Sequence, residues 1–185
     1  MTPSRNVTTS TDADHHPSTG GPRVRPTLYT IDHPEPGSVS IMARPRGFDW
    51  IADEMAALAA SEVDVVVCAL TQPELDTLGL AGEAEAARAA GLRHIAMPIP
   101  DRQVPEMAAV LPTLTSLADD LREGAHIATH CRYGIGRASL LAAALLVLNG
   151  TTPQVAWTRI QHARGLPVPD TAEQREWTKQ LTRRS

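Results

Sequence analysis

The chain has 185 residues and a formal net charge of −4 at pH 7, which suits one domain of about 150 residues plus a tail and excludes a basic nucleic-acid binder. No apolar run of roughly 18 residues occurs, so no membrane span is expected. Two cysteines, Cys68 and Cys131, without a repeating spacing give neither a disulfide framework nor a zinc site. The start of the chain lacks the apolar stretch of a signal peptide, which points to the cytoplasm. Lys179 is the only lysine among many arginines and alanine is abundant, a bias that suggests a GC-rich bacterial genome.

Residues 1–26 are rich in Thr, Ser, Pro and Gly and bury too little apolar surface to offset ordering, so a disordered tail is expected, including His15 and His16. A single domain is expected over 27–185. Leu28 to Ile31 and Val39 to Ala43 read as short strands around the turn-forming stretch Pro34 to Gly37. Trp50, Ile51, Met55 and Leu58 give helical periodicity from Phe48 to Ala60. Val63 to Leu70 is the continuous apolar run of a buried parallel strand. The alanine-rich stretch 82–90 predicts a helix closed by Gly91. A strand over Leu92–Met97, a loop over Pro98–Val104 and a helix from Pro105 to Arg122, bent near Pro112, come next. A strand over 125–130, a helix over 137–149 and two amphipathic helices over 153–164 and 172–183 complete the chain. Alternating strands and helices predict an α/β fold with a mostly parallel central sheet covered on both faces. Ligands in such folds sit beyond the carboxyl ends of the strands.

One such end carries His130-Cys131-Arg132-Tyr133-Gly134-Ile135-Gly136-Arg137-Ala138-Ser139. A strand running through a glycine-bearing loop into a helix presents backbone N–H groups at a helix N-terminus, a geometry that binds a tetrahedral oxyanion. That field also favours a thiolate at Cys131, a nucleophile beside phosphorus. Arg137 is placed to return its planar fork to the anion. The residues expected to hold phosphate are Arg132, Tyr133, Gly134, Ile135, Gly136 and Arg137. The alternative is a buried Cys131 ending a core strand, which explains neither glycine.

These residues resemble the Cys-based protein tyrosine phosphatase superfamily, whose phosphate-binding loop (P-loop) is His-Cys-x5-Arg, and in particular its small dual-specificity-like, kinase-associated-phosphatase-like branch. The resemblance spans roughly residues 28–180, and the fold it implies is the same α/β sheet. It implies a phosphomonoester hydrolase acting through a phosphocysteine, of the protein-tyrosine or dual-specificity type, with no cofactor and no metal. The partner would be a phosphorylated protein or a small phosphomonoester, with no nucleic acid. Expulsion of the alcohol needs a general acid. Asp101, in Pro98-Ile99-Pro100-Asp101 after a strand, is the candidate, on what is a mobile loop in this superfamily. Asp119 and Asp120, on the polar side of a helix, are poor rivals. The His130 imidazole is expected to point away from substrate, either holding the loop by a hydrogen bond and tuning the thiolate or playing a merely structural part.

Two departures from the superfamily pattern stand out. The superfamily carries Ser or Thr after the arginine, where its hydroxyl stabilises the leaving thiolate. Here that residue is Ala138, and Ser139, about 100° further around the helix, should face elsewhere. Asp170 stands where tyrosine-specific relatives place a glutamine, and Gln174 is expected to pack or cap. Cys68 is either a small buried hydrophobe or a disulfide partner for oxidised Cys131. Tyr133 is expected to line the pocket, with Arg44, Arg46 and Phe48 on its rim. Two further functions remain open: a phosphatase of small molecules such as phosphoinositides or nucleotides, and a non-catalytic phosphate-binding module.

Overall fold

Val65, Val66, Val67 and Cys68 are all buried, which a strand achieves only when helices cover both faces of its sheet. The computed structural model describes residues 25–34 and 36–183. The tail through residue 24, with His15 and His16, lies outside the described residues. Five strands form one sheet in the order β1-β2-β5-β3-β4: β1 is Tyr29–Ile31, β2 Ser38–Ala43, β3 Val65–Cys68, β4 Arg93–Ala96 and β5 His126–Cys131. Only the β1–β2 pair is antiparallel; β2, β5, β3 and β4 run parallel.

The helices are α1 (Ile51–Ala60), α2 (Gln72–Leu78), α3 (Glu83–Ala89), α4 (Met107–Arg122), α5 (Arg137–Leu148), α6 (Pro153–Arg164) and α7 (Ala172–Trp177). Alternation along each strand divides the core. Val39, Ile41, Val67, Ile127 and Cys131 pack with α4, α5 and α6 on one face. Met42, Val66 and Ala128 pack with Met55, Leu58 and Ala87 of α1 and α3 on the other. Helix α5 buries eleven of its residues, from Arg137 to Val147. It is apolar all round because it lies between the sheet and the outer helices.

Several boundaries shift by one or two residues from the sequence reading, and three differences are larger. The turn Phe48–Trp50 is 3-10 rather than α, and the last predicted helix stops at Trp177, continuing as 3-10 to Arg183. Helix α2 lies between Leu70 and residue 82, where the sequence reading assigns no element. No helix among the described residues is long and apolar enough to cross a membrane.

Candidate active site

The parallel strands end on one edge, and β5 lies between β2 and β3. The loop that follows β5 therefore sits at the centre of that edge. Cys131 closes β5 and is buried. Arg137 opens α5, whose first amides have no carbonyl one turn back and face the loop end of the helix.

The loop between them is held from three sides. Gly134 has φ +65°, and a Cβ there would lie 2.6 Å from the Met42 carbonyl oxygen of β2. Glycine is required on both counts. Arg164, from the end of α6, donates from Nε to the Gly134 carbonyl at 2.7 Å and from Nη2 to that of Tyr133 at 3.3 Å. Its guanidinium stacks on Tyr29 at 3.8 Å. Behind Gly136, Asp170 Oδ2 and Gln174 Oε1 lie 2.0 and 3.1 Å from where a Cβ would be.

Arg137 is 1% exposed. Its Nη1 and Nη2 donate to Glu74 Oε2 and Oε1, each at 2.8 Å, and Nη1 also donates to the Ile99 carbonyl at 2.8 Å. A fork fixed along its Nη1–Nη2 edge offers its Nε–Nη2 edge to an oxyanion. Glu74 Oε2 also accepts from the Thr71 amide and hydroxyl, both at 2.9 Å. The hydrogen bond from Arg137 is the main reason that the Glu74 carboxyl titrates at about 2.

Asp101 brings Oδ1 to 3.3 Å from Arg137 Nη2 and keeps its side chain 69% exposed. The loop that carries it is tied down on both sides of the aspartate: the Ile99 amide donates to the Ala69 carbonyl at 3.1 Å, Gln174 Nε2 to that of Gln103 at 3.2 Å, and Trp177 Nε1 to that of Pro105 at 2.9 Å. Gln174 thus packs, as expected, but between the two loops of the site. Asp119 and Asp120 are engaged elsewhere, with Arg122 and Arg93.

Cys131, Arg137, Asp101, Gly134, Ile135 and Gly136 therefore meet at one place. Arg132 and Tyr133 are there through their backbone, while their side chains are exposed. Tyr133 lines a cleft of about 350 Å³ beside the loop with Tyr29, Arg25, Arg44, Arg46 and Arg164. Arg46 is paired with Glu54 and stacked on Trp50 at 4.2 Å. Phe48 is not part of this rim. Its ring lies against Gly79, which leaves no room for a Cβ there.

His130 turns its ring away from the loop. Rather than bonding to the loop, its fully buried ring turns to the α1–α3 face and brings Nε2 to 2.6 Å from Glu83 Oε1. Cys68 pairs in register with His130, so its side chain shares that face, whereas Cys131 shares the opposite one. Both are free thiols, and the sheet separates them. Cys68 is thus a small buried residue of the core, the first of its two readings. On its own face, burial opposes ionisation of Cys68, but His130 overcomes it and lowers the thiol's pKa. Ser139 is fully buried and its hydroxyl has no hydrogen-bond partner among the described residues.

Residues 40–151 match the family model described as polymorphic toxin system, DSP-PTPase phosphatase. This chain belongs to that family. It is a phosphatase, and the match covers both the Cys131–Arg137 loop and Asp101. Several solved structures share the fold. Kinase associated phosphatase, with its catalytic cysteine replaced by serine, is 17% identical with a TM-score of 0.76, over 88% of this chain and 97% of that one. Tk-PTP in its active form is 25% identical with a TM-score of 0.69, over 86% and 99%. PTPMT1 in complex with PI(5)P is 18% identical with a TM-score of 0.64, over 79% and 90%. No curated protein matches the sequence.

Glu74 and Arg164 escaped the sequence reading. For Glu74 a local signal existed: Thr71-x-x-Glu74 with Pro73 is a helix-start signature. Arg164 lies in Arg164-Gly165-Leu166, which resembles the segment after the P-loop helix of tyrosine-specific relatives, but its grip on the loop carbonyls depends on the fold.

Proposed function

We propose that this phosphatase is Cys-dependent and of the protein-tyrosine or dual-specificity type, with Cys131 as nucleophile, Arg137 as oxyanion clamp and Asp101 as general acid. The observation that carries the reading is the arrangement around Arg137. Its guanidinium is fixed by Glu74 within 3.3 Å of Asp101, at the helix end where the loop from Cys131 arrives. In the first step the Cys131 Sγ–P bond forms as the P–O bond to the leaving group breaks, and Asp101 gives its proton to the departing oxygen. Arg137 and the amides of residues 132–137 hold the equatorial oxygens. In the second step Asp101 takes a proton from water, whose oxygen attacks phosphorus. The S–P bond breaks and phosphate leaves. His130 is a positioning residue, anchored to Glu83 rather than to substrate. Two free thiols suit the reducing cytoplasm.

Hydrolysis of para-nitrophenyl phosphate by wild type, Cys131→Ser and Asp101→Ala tests the roles. Cys131→Ser should be inactive, and Asp101→Ala should lose about 10²–10⁴-fold in turnover with the basic limb of its pH profile. Turnover by Cys131→Ser at the wild-type rate would sink the reading.

The arginine-lined cleft favours a second substrate class, small molecules with an additional phosphate such as phosphoinositides or nucleotides. A phosphotyrosine peptide and a phosphoinositide compared on wild type and Arg44→Ser would separate the two. Loss confined to the phosphoinositide points to the small-molecule class.

A further inference from the structure

Behind the sheet edge, four side chains from four elements converge in the interior: Cys68 ends β3, Glu83 opens α3, His94 lies in β4 and His130 in β5. Ligand atoms of Cys68, Glu83 and His130 all lie within 4.8 Å of one another, and all three residues are buried. His94 borders this trio: its Nε2 is 3.9 Å from Glu83 Oε2, with its side chain 11% exposed. Glu83 thus lies between the two imidazoles. The active-site roles proposed above engage none of these four side chains directly.

The cluster is close-packed yet badly hydrogen-bonded. His130 Nε2 and Glu83 Oε1 are 2.6 Å apart, but the ring N–H axis is not aimed at the oxygen. Both Glu83 oxygens, His94 Nε2 and both His130 nitrogens have no hydrogen-bond partner among the described residues. Five such buried atoms in one spot are costly when left unmade. Ligands whose lone pairs point at a shared third atom, rather than at each other, have this appearance.

We propose that Cys68 Sγ, Glu83, His94 Nε2 and His130 Nε2 bind one divalent transition metal, with Zn²⁺ the best fit. Thiolate, imidazole and carboxylate are the donors zinc takes, and four protein ligands make a closed, structural site rather than a catalytic one. A thiolate, a carboxylate, two neutral imidazoles and a dication sum to zero charge, as an apolar interior requires. Binding sends the protons that these groups carry without metal into solvent. A tetrahedral ion with bonds of about 2.0–2.1 Å sets its nitrogen and oxygen ligands about 3.3 Å apart, so Glu83 withdraws from His130 by several tenths of an ångström. The ion enters past His94, on edge strand β4. Bound there, it ties β3, β4, β5 and α3 together directly behind Cys131. The ligands lie far apart in the sequence, in no short motif, which is why cysteine spacing alone indicated no zinc site.

The test is metal analysis of the untagged full-length chain, with cobalt substitution as the optical probe. Wild type and Cys131→Ser should each carry about one equivalent of zinc. The cobalt form should show a thiolate charge-transfer band. Cys68→Ser and His94→Ala, verified as folded by circular dichroism, should lose the metal at least tenfold. Removing zinc from wild type should lower Tm by more than about 5 °C. A wild-type protein without metal whose Tm ignores added zinc would overturn the proposal. So would metal retained by Cys68→Ser and His94→Ala, or lost in Cys131→Ser.

Discussion

Glu74 and Arg137 are 63 residues apart in sequence and meet fork to fork, with both arms at 2.8 Å. A flexible arginine is thereby turned into a fixed donor edge. Its entropy is lost during folding rather than during binding of the anion.

Glu74→Gln should consequently impair catalysis. The amide offers one acceptor where the carboxylate offered two charged ones, and hydrogen bonds to charged groups contribute about 1.5–3 kcal/mol. We expect kcat/KM for para-nitrophenyl phosphate to fall roughly ten- to hundredfold, with most of the loss in kcat. An unchanged kcat/KM would mean that Arg137 holds its place without Glu74.

The same carboxyl leaves a signature in acid. Glu74 titrates at about 2 when folded against an ordinary 4.5. A depressed carboxyl stabilises the fold above its unfolded pKa, and the contribution disappears as pH falls through the folded value. Between pH 4.5 and about 2 the wild type should therefore lose stability faster than Glu74→Gln. Urea midpoints measured down this range would show it, and parallel curves would rule it out. The Glu74 side chain keeps 18% of its surface exposed, so salt should shrink the difference only in part.

Gly134 and Gly91 make a matched pair. Both have positive φ, +65° and +84°, but a Cβ at Gly91 meets nothing within 4 Å. Gly91→Ala should cost only the backbone penalty, about 1–2 kcal/mol. Gly134→Ala adds a collision with the Met42 carbonyl and must push the loop outward. Phosphate or vanadate affinity, read by titration, should drop at least about tenfold in Gly134→Ala and stay unchanged in Gly91→Ala. Equal affinities would show that the loop yields freely.

Ala138 follows the arginine directly, where the superfamily that the loop resembles has a hydroxyl. Without it the second step should be slow, and rapid-quench kinetics should show a burst of para-nitrophenol. Ala138→Ser, a small change at a fully buried site, should shrink the burst and raise steady-state turnover. Linear product formation by the wild type would dismiss the idea.

The alternation of apolar runs made the sheet and most of its helices readable, and the glycines of the 131–137 segment marked the loop. Features that depend on distant partners were not readable. Glu83 looks like an ordinary first-turn acid of an alanine-rich helix, yet it is 1% exposed because His130 and His94 come to it from other strands. Phe48 was expected at the cleft, but Gly47 packs so tightly on the Leu78 carbonyl that a Cβ would sit 2.0 Å from it. That contact carries the chain over Gly79 and turns the ring away. Helix α2 was overlooked although its capping pattern was plain, because seven residues carry too little periodicity to stand out.

The sheet that separates Cys68 from Cys131 also decides how this protein survives oxidants. A sulfenic acid formed at Cys131 faces away from the Cys68 thiol across the sheet, and where the two do not condense, further peroxide drives it to the irreversible sulfinic form. Recovery then depends on small thiols reaching the loop from outside. Such a molecule has no chemical memory of its own, and its activity after a burst of peroxide reports the reducing capacity of its surroundings.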